Sequence, residues 1–399
     1  MTDRLPLLSA QLAFGLQAQR SAGKTIIALR FRTAASQMST VDVRQVLQSI
    51  MLRNPALSYQ IRFSRGVAYQ EWHPADCDFA ELRAENAEAA SRMATAAVEE
   101  FERDIDGPAV AARLLRAPEG DDLVLVFDHA LVDEQSLLTI KGQLGTPALP
   151  DGRERARYEA AVHDRRAFET AAADGPGVTF WSHRLGSVRE GFPQVNESPT
   201  QAVRVVELPL VAVPRSFRGS LFPSVLFSLH RALQDVAAPG ATVIGYPWGG
   251  RNGAFSDVVG CFMNTVVSLD TAAHRSAAGG VNEFVQDWFE EIDHADVPFT
   301  ALMRLGSAFT GAVTAYLGYS HSASDTVDVA GTEAVEVPMT HGRIPGTSAF
   351  LAAATVRGAG VRLRLILDED TVGYRAQELG TRWCDRLSTA ISVPPEQRP

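Results

Sequence analysis

Apolar residues recur along this chain at two spacings, one typical of helices and one typical of strands. Between residues 40 and 53 they recur every three or four positions, which predicts an amphipathic helix capped by Thr40 or Asp42. Residues 361–367 instead alternate between apolar residues and arginine, as a half-exposed strand does. Segments of both kinds alternate through the whole chain. This alternation predicts an α/β fold with α+β layers.

The same spacings predict the remaining elements. Asn86 and Ser136 are the expected caps of two further helices, and Asp121 and Asp122 are expected at a turn between two short strands. Helices are expected at 86–104, 136–144, 153–173, 224–236, 281–293 and 379–391, and strands at 56–63, 109–115, 123–127, 203–209 and 242–246.

The domain limits are predicted from one linker, the Pro- and Gly-rich stretch 145–153. It follows an N-terminal segment long enough for its own core and precedes a polar helix that would connect two halves. The predicted divisions are an N-terminal lobe at 1–152, a connecting helix at 153–175, a C-terminal lobe at 176–392 and a tail at 393–399.

Charge and cysteine content narrow the function classes. The chain has 37 Lys and Arg against 47 Asp and Glu, a formal charge of −10, which disfavours a nucleic-acid partner held by phosphate contacts. No apolar run approaches the ~18 residues of a membrane span, and the first residues do not resemble a signal peptide, so we expect a cytoplasmic protein with no membrane partner. Cys77, Cys261 and Cys384 lie far apart, which predicts buried free thiols and no metal site.

The segment 127–136 carries the candidate chemistry. A short apolar strand ends there, and Asp128, His129, Asp133, Glu134 and Ser136 follow. Polar groups at the end of a buried strand are a common place for sites in layered α/β folds. The imidazole of His129 could accept a proton from an attacking amine or hydroxyl, and Asp133 could hold that ring or brace the loop through an arginine. The alternative is a structural histidine beside a capping Asp or Ser.

This segment resembles the core motif of the condensation domains of nonribosomal peptide synthetases, His-His-x-x-x-Asp-Gly-x-Ser. The second His, the Asp and the Ser of that motif match, whereas Asp128 replaces its first His and Glu134 replaces its Gly. Further segments resemble motifs of the same family in the same order along the chain. They are Leu5–Gln11, Arg53–Leu57, Tyr158–His163, Phe180–Leu185, Gly249–Asn252, Val259–Thr265 and His294–Phe299.

The resemblance implies two chloramphenicol acetyltransferase-like lobes arranged in a V, with a central tunnel and His129 midway along it. Segment 257–269 would bridge the lobes, and Asn264 would be a polar group in that bridge, unless its side chain only satisfies local backbone groups. Asp133 would pair with an arginine, for which Arg251 and Arg62 are both candidates.

The same resemblance implies the partners. Acyl or peptidyl carrier proteins would present a thioester on a phosphopantetheine arm, and a small-molecule amine or alcohol would attack it. The chain itself would hold no permanent cofactor. Because carrier proteins are usually acidic, docking would need local arginines. The candidates by charge are Arg113, Arg116, Arg343, Arg362 and Arg364.

Three functions remain open. The first is a free-standing condensation-type acyltransferase. The second is a degenerate, non-catalytic domain that recruits a partner enzyme to a carrier-bound peptide, since Asp128 and Glu134 depart from the motif. The third is a ring-forming heterocyclization enzyme, because Asp128, Asp133 and Ser136 also fit the pattern Asp-x-x-x-x-Asp-x-x-Ser of that class.

Overall fold

The computed structural model describes most of the chain as helices and strands. The described residues are 4–21, 23–34, 37–74, 76–188, 192, 204–236, 241–270, 281–305, 308–322, 326–339, 348–367 and 375–392. The helices are α1 (Ser9–Ser21), α2 (Thr40–Arg53), α3 (Ala87–Arg103), α4 (Glu134–Gln143), α5 (Glu154–Ala173), α6 (Pro176–Gly186), α7 (Leu221–Val236), α8 (Val281–Asp293), α9 (Phe299–Leu302) and α10 (Ala376–Ser392). Short 3-10 turns lie at Pro55–Ser58 and Gly253–Phe255.

The strands described are numbered in chain order. They are β1 (Arg4–Pro6), β2 (Ile26–Arg32), β3 (Tyr59–Ser64), β4 (Val67–Trp72), β5 (Asp78–Arg83), β6 (Val110–Ala117), β7 (Gly120–Asp128), β8 (Arg204–Glu207), β9 (Val211–Ala212), β10 (Thr242–Trp248), β11 (Asn264–Asp270), β12 (Val313–Ser322), β13 (Thr326–Val329), β14 (Thr332–Glu336), β15 (Ser348–Arg357) and β16 (Gly360–Leu367). The predicted α/β layered fold class is confirmed.

The chain divides into two compact units. The first comprises Met1–Thr170, Gly249–Met263 and Ser324–His341, and the second comprises Ala171–Trp248, Asn264–Ala323 and Gly342–Pro399. The first unit holds a sheet in the order β13-β14-β2-β7-β6-β5 and a smaller sheet in the order β1-β4-β3. The second holds a sheet in the order β11-β10-β12-β15-β16-β8, with β9 also paired to β16.

Strand β7 runs through the centre of the first unit and ends at the candidate site. It pairs antiparallel with both β2 and β6, and its residues 120–127 are all buried. Val124 and Val126 pack with α3 on one side, whereas Leu125 and Phe127 pack in the core that includes α2 and α4 on the other. Because both faces of the strand are covered, its residues 123–127 are all apolar, and the first polar residue after them is Asp128.

Some local predictions were wrong for identifiable reasons. Asp121 and Asp122 are not turn residues, because both lie inside β7, buried and paired with arginines. Ser39, not Thr40 or Asp42, caps α2 by accepting a hydrogen bond from the Asp42 N–H. Part of the extended segment predicted at 56–63 is instead a 3-10 turn. Asn86 caps α3 as predicted, with its side chain accepting from the Ala89 N–H.

Candidate functional site

The candidate site is the loop that joins β7 to α4 in the first unit. The Asp128 carboxylate accepts the Ala130 N–H at 2.9 Å, and the Asp128 carbonyl accepts the Leu131 N–H at 3.0 Å. The His129 N–H donates to the carbonyl of Thr25 at 2.9 Å, which ties the loop to the residue before β2. These bonds set the backbone direction at His129 and place its side chain at the end of the central strand.

The His129 ring is held by a backbone carbonyl and an aromatic ring. Its Nδ1 lies 2.8 Å from the carbonyl oxygen of Val132. Because a carbonyl oxygen only accepts hydrogen bonds, Nδ1 must carry the proton, and in the neutral ring the lone pair therefore lies on Nε2. Phe14 of α1 stacks on the imidazole with ring centroids 4.4 Å apart and planes 28° apart. The ring is half-buried, so it is held in one orientation without being sealed from solvent.

Asp133 does not hold this ring, contrary to one of the two roles predicted for it. Its carboxylate is buried and caps α4, where Oδ1 accepts the Ser136 N–H at 3.0 Å. Arg251 donates to Oδ1 at 2.7 Å and to Oδ2 at 2.8 Å, and the Phe262 N–H donates to Oδ2 at 3.0 Å. Both oxygens are thus occupied by protein donors. Asp133, rather than Ser136, is also the helix cap.

Ser136 joins the same network. Its hydroxyl lies 2.9 Å from Asp133 Oδ1 and 2.8 Å from the Gly260 carbonyl, and it accepts the Gly260 N–H at 3.0 Å. Arg251 also donates to the Ser136 hydroxyl at 2.8 Å and to the carbonyls of Gly260 and Val258, each at 2.9 Å. Segment Gly249–Met263 is therefore clamped to the start of α4.

Arg251 rather than Arg62 is the bracing arginine. Arg62 donates to Asp106 at 2.7 Å and lies 3.7 Å from Glu71, so the prediction of Arg62 as a partner of Asp133 is wrong. Asn264 lies in the second unit, and its side chain satisfies backbone groups there, which is the alternative predicted for it. Its amide donates to the carbonyls of Ala295 and Val297, both at 2.8 Å.

The two residues that depart from the motif occupy different environments. Asp128 is half-buried, and burial raises the pKa of its carboxyl, an effect that Lys24, the Ala130 N–H and His129 oppose. Glu134 lies in the first turn of α4, with its side chain exposed. Although solvent reaches the Glu134 side chain, neighbouring protein atoms partly desolvate its carboxyl and so raise its pKa, while Lys141 and His129 lower it. The motif thus carries a partly desolvated acid at one end and an accessible acid at the other.

The cysteines carry no chemistry that the structure supports. Cys261 is buried as predicted, whereas Cys77 and Cys384 are half-buried. Burial raises the pKa of each thiol, which disfavours the nucleophilic thiolate. Within the described part of the chain, no group of three His, Cys, Asp or Glu side chains could hold a metal ion.

Three site groups were missed by reasoning from sequence. Phe14 follows the Leu5–Gln11 motif by three residues, so its place on α1 was the only signal for it. Thr25 and Val132 contribute backbone carbonyls, and a backbone contact does not require a particular side chain at either position. A contact through the main chain can be recognised only once the fold is known.

Comparisons with known proteins agree with this architecture. No protein-family model and no curated protein sequence matches the chain. Among solved structures, the X-domain from teicoplanin biosynthesis is 16% identical over 99% of this chain and 96% of its own, with a TM-score of 0.76. The starter condensation domain of rhizomide synthetase, a mutant solved with C8-CoA and Leu-SNAC, is 14% identical over 100% and 96%, with a TM-score of 0.76.

Two further structures extend this picture. The first condensation domain of the calcium-dependent antibiotic synthetase is 16% identical over 98% of this chain and 97% of its own, with a TM-score of 0.73. An X-domain from teicoplanin biosynthesis was also solved in complex with OxyB. The chain therefore has the fold of the condensation domains of nonribosomal peptide synthetases. No helix of the described residues has the length and apolar character needed to cross a bilayer.

Proposed function

We propose that this chain is a condensation-type acyltransferase that joins a carrier-bound acyl or aminoacyl thioester to an amine or hydroxyl. The observation that carries the proposal is the His129 imidazole, whose Nδ1 proton is committed to the Val132 carbonyl. A neutral imidazole in this tautomer presents an Nε2 lone pair that can accept a proton.

The proposed reaction needs one proton acceptor and no covalent enzyme intermediate. The nucleophile attacks the thioester carbonyl as Nε2 of His129 takes its proton. The new C–N or C–O bond forms, the C–S bond breaks, and the proton passes to the departing phosphopantetheine sulfur. Ser136 is excluded as a nucleophile because it is buried and occupied by Asp133, Arg251 and Gly260.

Ring formation is the least supported of the three functions. In that reading Asp133 would have to exchange protons with the substrate. Its two oxygens instead receive donors from Arg251, Ser136 and Phe262 in a buried setting. A carboxylate held by a bidentate arginine is a positioning group. Asp133 therefore supports the loop of His129 in our proposal and does not contact the substrate.

A non-catalytic recruiting domain is the second candidate, and the accessible Glu134 favours it. The Glu134 side chain lies close enough to His129 for the imidazole to lower the pKa of its carboxyl, at a motif position where the condensation family has glycine. Such a carboxylate could obstruct a thioester arm that approaches the imidazole. The X-domain solved with OxyB is a structural neighbour that binds a partner enzyme.

The five arginines that are candidates for carrier docking differ in whether their charges are already paired within the protein. Arg113 pairs with Asp78 at 2.7 Å, and Arg116 pairs with Glu81 at 2.8 Å, so their charges are already matched within the protein. Arg364 lies 3.9 Å from Glu207, whereas Arg362 is exposed. Arg343 lies outside the described residues. Of the five arginines, Arg362 has the best support for contact with an acidic carrier protein.

A thioester turnover assay tests the proposal. Acyl-phosphopantetheine on a carrier protein is offered with a panel of amines and alcohols, and both thiol release and the acylated product are measured. We expect His129→Ala to lower turnover by about 10²–10⁴-fold, the usual contribution of general acid–base catalysis. His163→Ala, which removes an exposed imidazole from α5, is the matched control and should keep full turnover.

The same assay separates the two candidates. Equal turnover by wild type and His129→Ala would exclude the catalytic role assigned to the imidazole. If the wild type turns over no thioester and Glu134→Gly gains activity, an obstructing carboxylate is shown and the recruiting function is favoured. Calorimetric titration with an enzyme that modifies the carrier-bound peptide would then measure recruitment directly.

A further inference from the structure

Glu134 is a charged group beside His129 that no described residue neutralises. Its side chain is exposed in the first turn of α4. The charges that act on it belong to three parts of the first unit: Lys141 in α4, Asp133 and His129 in the loop before that helix, and Glu336 in β14. The sum of these charges determines which kind of molecule the site attracts.

The charges around Glu134 cancel in pairs. The Lys141 ammonium donates to both carboxylate oxygens of Glu336, at 2.9 and 2.8 Å. Asp133 is neutralised by Arg251, which binds both of its oxygens. Each of these ions is therefore held by its own partner. In the described part of the chain, neither Lys141 nor Arg251 lies within 4.0 Å of the Glu134 carboxylate.

Two further groups near the imidazole balance each other. Asp128 precedes His129 in the chain, and it and Lys24 carry opposite charges that act on each other. His129 itself is uncharged when it accepts a proton. Among the residues that the structure describes, the carboxylate of Glu134 is therefore the charge beside the imidazole that is left without a partner.

Partial desolvation strengthens the attraction of this carboxylate for a cation. Neighbouring protein atoms raise the pKa of Glu134 by removing part of the water around its carboxyl, and the cations Lys141 and protonated His129 oppose this rise. A bound cation would replace the lost hydration, and it would displace less water than at a fully solvated carboxylate. Glu134 is thus favourably placed to bind a positive group.

The surface next to Glu134 favours an organic cation over a metal ion. Leu138 lies four residues further along α4, on the same face of the helix, and is 59% exposed. Calcium needs about six to eight oxygen ligands, whereas a single carboxylate beside a leucine supplies two at most. Within the described residues, no group of three His, Cys, Asp or Glu side chains could hold a metal ion. An alkyl ammonium or guanidinium, whose carbons can lie on Leu138, fits this surface better.

We infer that Glu134 selects acceptors that carry a second, cationic group, an ammonium or guanidinium separated by a short chain from the attacking amine or hydroxyl. This selectivity rests on the proposed function, whereas the binding of the cation does not. The attacking group gives its proton to Nε2 of His129, and the second group stays protonated and pairs with the Glu134 carboxylate. The paired cation is not the attacking amine, because a carboxylate would hold that amine protonated and remove its lone pair.

Two acceptors of equal size test this selectivity. Cadaverine and hexylamine have the same number of non-hydrogen atoms, but only cadaverine keeps an ammonium when one amine reacts. Each is offered with an acyl carrier thioester to the full chain at pH 8, which keeps the Glu134 carboxyl ionised, and shorter and longer diamines are compared with alkylamines of matching size. We expect kcat/KM to favour the best diamine by at least about 5-fold, as for a partly desolvated charge pair.

Charge variants show whether Glu134 is responsible. Glu134→Gln keeps the shape of the side chain and should abolish the preference for the diamine, whereas Glu134→Asp keeps the charge and should retain part of it. Glu336→Gln leaves Lys141 without its partner, so Lys141 can neutralise Glu134 and lower the preference. Glu88→Gln, at an exposed position in the first turn of α3, is the matched control and should leave the preference unchanged.

An equilibrium measurement tests the binding of the cation without turnover. The nine histidines of the full chain are labelled with ¹³C in their rings, and His129→Ala identifies the His129 NMR signal. Cadaverine and the neutral alcohol hexanol are titrated in the absence of thioester, at constant ionic strength. We expect a saturable shift of the His129 signal with cadaverine, no such shift with hexanol, and loss of the cadaverine shift in Glu134→Gln.

Three results would overturn the inference. A diamine preference that Glu134→Gln leaves unchanged would assign the selectivity to other residues. An equal fall in kcat for cadaverine and hexylamine in Glu134→Gln would show that the carboxylate acts on the imidazole and not on the acceptor. An equal rise for both acceptors would show that the carboxylate obstructs them.

Failure of the inference can be distinguished from failure of the proposed function. A chain that transfers acyl groups without preferring diamines would contradict the role of Glu134 and leave the proposed function standing. A chain that transfers no acyl group but shows the Glu134-dependent shift of the His129 signal would keep the cation site and contradict the transferase. The absence of both transfer and shift would contradict both.

Discussion

Arg251 binds both carboxylate oxygens of Asp133, at 2.7 and 2.8 Å, although 118 residues separate them in the sequence. Both side chains are buried, at 3% and 4% exposed. The pair joins segment Gly249–Met263 to the first turn of α4 and so supports the loop that carries His129. Bidentate geometry of this kind needs the planar guanidinium, because the lysine ammonium is a single point charge.

Loss of this arginine should destabilise the first unit. Arg251→Met leaves a buried, uncompensated carboxylate, for which we expect a loss of about 3–5 kcal/mol in the free energy of unfolding. Arg251→Lys should recover only part of the loss, because it cannot reach Asp133, Ser136 and two carbonyls together. Urea denaturation of the three proteins checks the order. Equal stability of Arg251→Met and wild type would contradict the bracing role.

Gly250 is expected to be irreplaceable, unlike its neighbour. A Cβ on Gly250 would lie 2.0 Å from the Phe262 carbonyl oxygen and 2.8 Å from Arg165 Cζ, whereas one on Gly249 would meet nothing within 4 Å. Gly250→Ala should therefore cost at least about 1–3 kcal/mol through overpacking, and Gly249→Ala should stay within about 0.5 kcal/mol of wild type. Thermal and urea unfolding of both variants test this, and similar losses in the two would refute the steric explanation.

Phe14 is expected to be a positioning residue for the imidazole. Phe14→Ala removes the ring that stacks on His129 at 4.4 Å but leaves the Val132 hydrogen bond in place. If the proposed function holds, a small misplacement of the ring should lower kcat by about 10- to 100-fold. Leu16→Ala, at an exposed position of the same helix, is the control. Retention of full kcat by Phe14→Ala would show that the stacking is dispensable.

The second unit should lose stability as the pH rises towards neutrality. Glu291 is buried, and burial raises its pKa from 4.5 to about 7 despite the opposing effects of Arg184 and the Leu269 N–H. The folded state therefore holds this proton more tightly than the unfolded state. Its contribution is complete below pH 4.5 and is lost as the pH passes through about 7, by an amount on the order of 3 kcal/mol.

Glu291→Gln tests that sign, because glutamine cannot ionise. The free energy of unfolding of this variant should vary less between pH 5 and pH 8 than that of wild type. Wild type should be less stable at pH 8 than at pH 5 relative to the variant. A wild-type slope that the substitution leaves unchanged would assign the pH dependence to other groups.

Local order could be predicted closely from the sequence, whereas long-range pairing could not. Helices α2 and α8 span the predicted residues because their apolar spacing is strong and each packs one face. Asp133 was foreseen as an arginine partner, but the choice between Arg251 and Arg62 depends on which loop returns to α4. That return is a property of the tertiary fold, and no local pattern encodes it.

The β13–β14 hairpin shows the same limit. It lies late in the chain, yet β14 pairs with β2 through Val335 and Glu336, so it extends the sheet of the first unit. Two paired residues leave little signal in the composition of either strand. Asp121 and Asp122 were misassigned for a related reason. Acidic pairs usually mark turns, and here arginines from the two neighbouring strands, β2 and β6, allow both residues to be buried.

The oxygen that fixes the imidazole belongs to the main chain at position 132, so no replacement of the Val132 side chain can delete it. The side chains around His129 can therefore be varied while the hydrogen bond that sets its tautomer is preserved. If the proposed function holds, acceptor selectivity and proton transfer are separable, because one would depend on exchangeable side chains and the other on the path of the backbone.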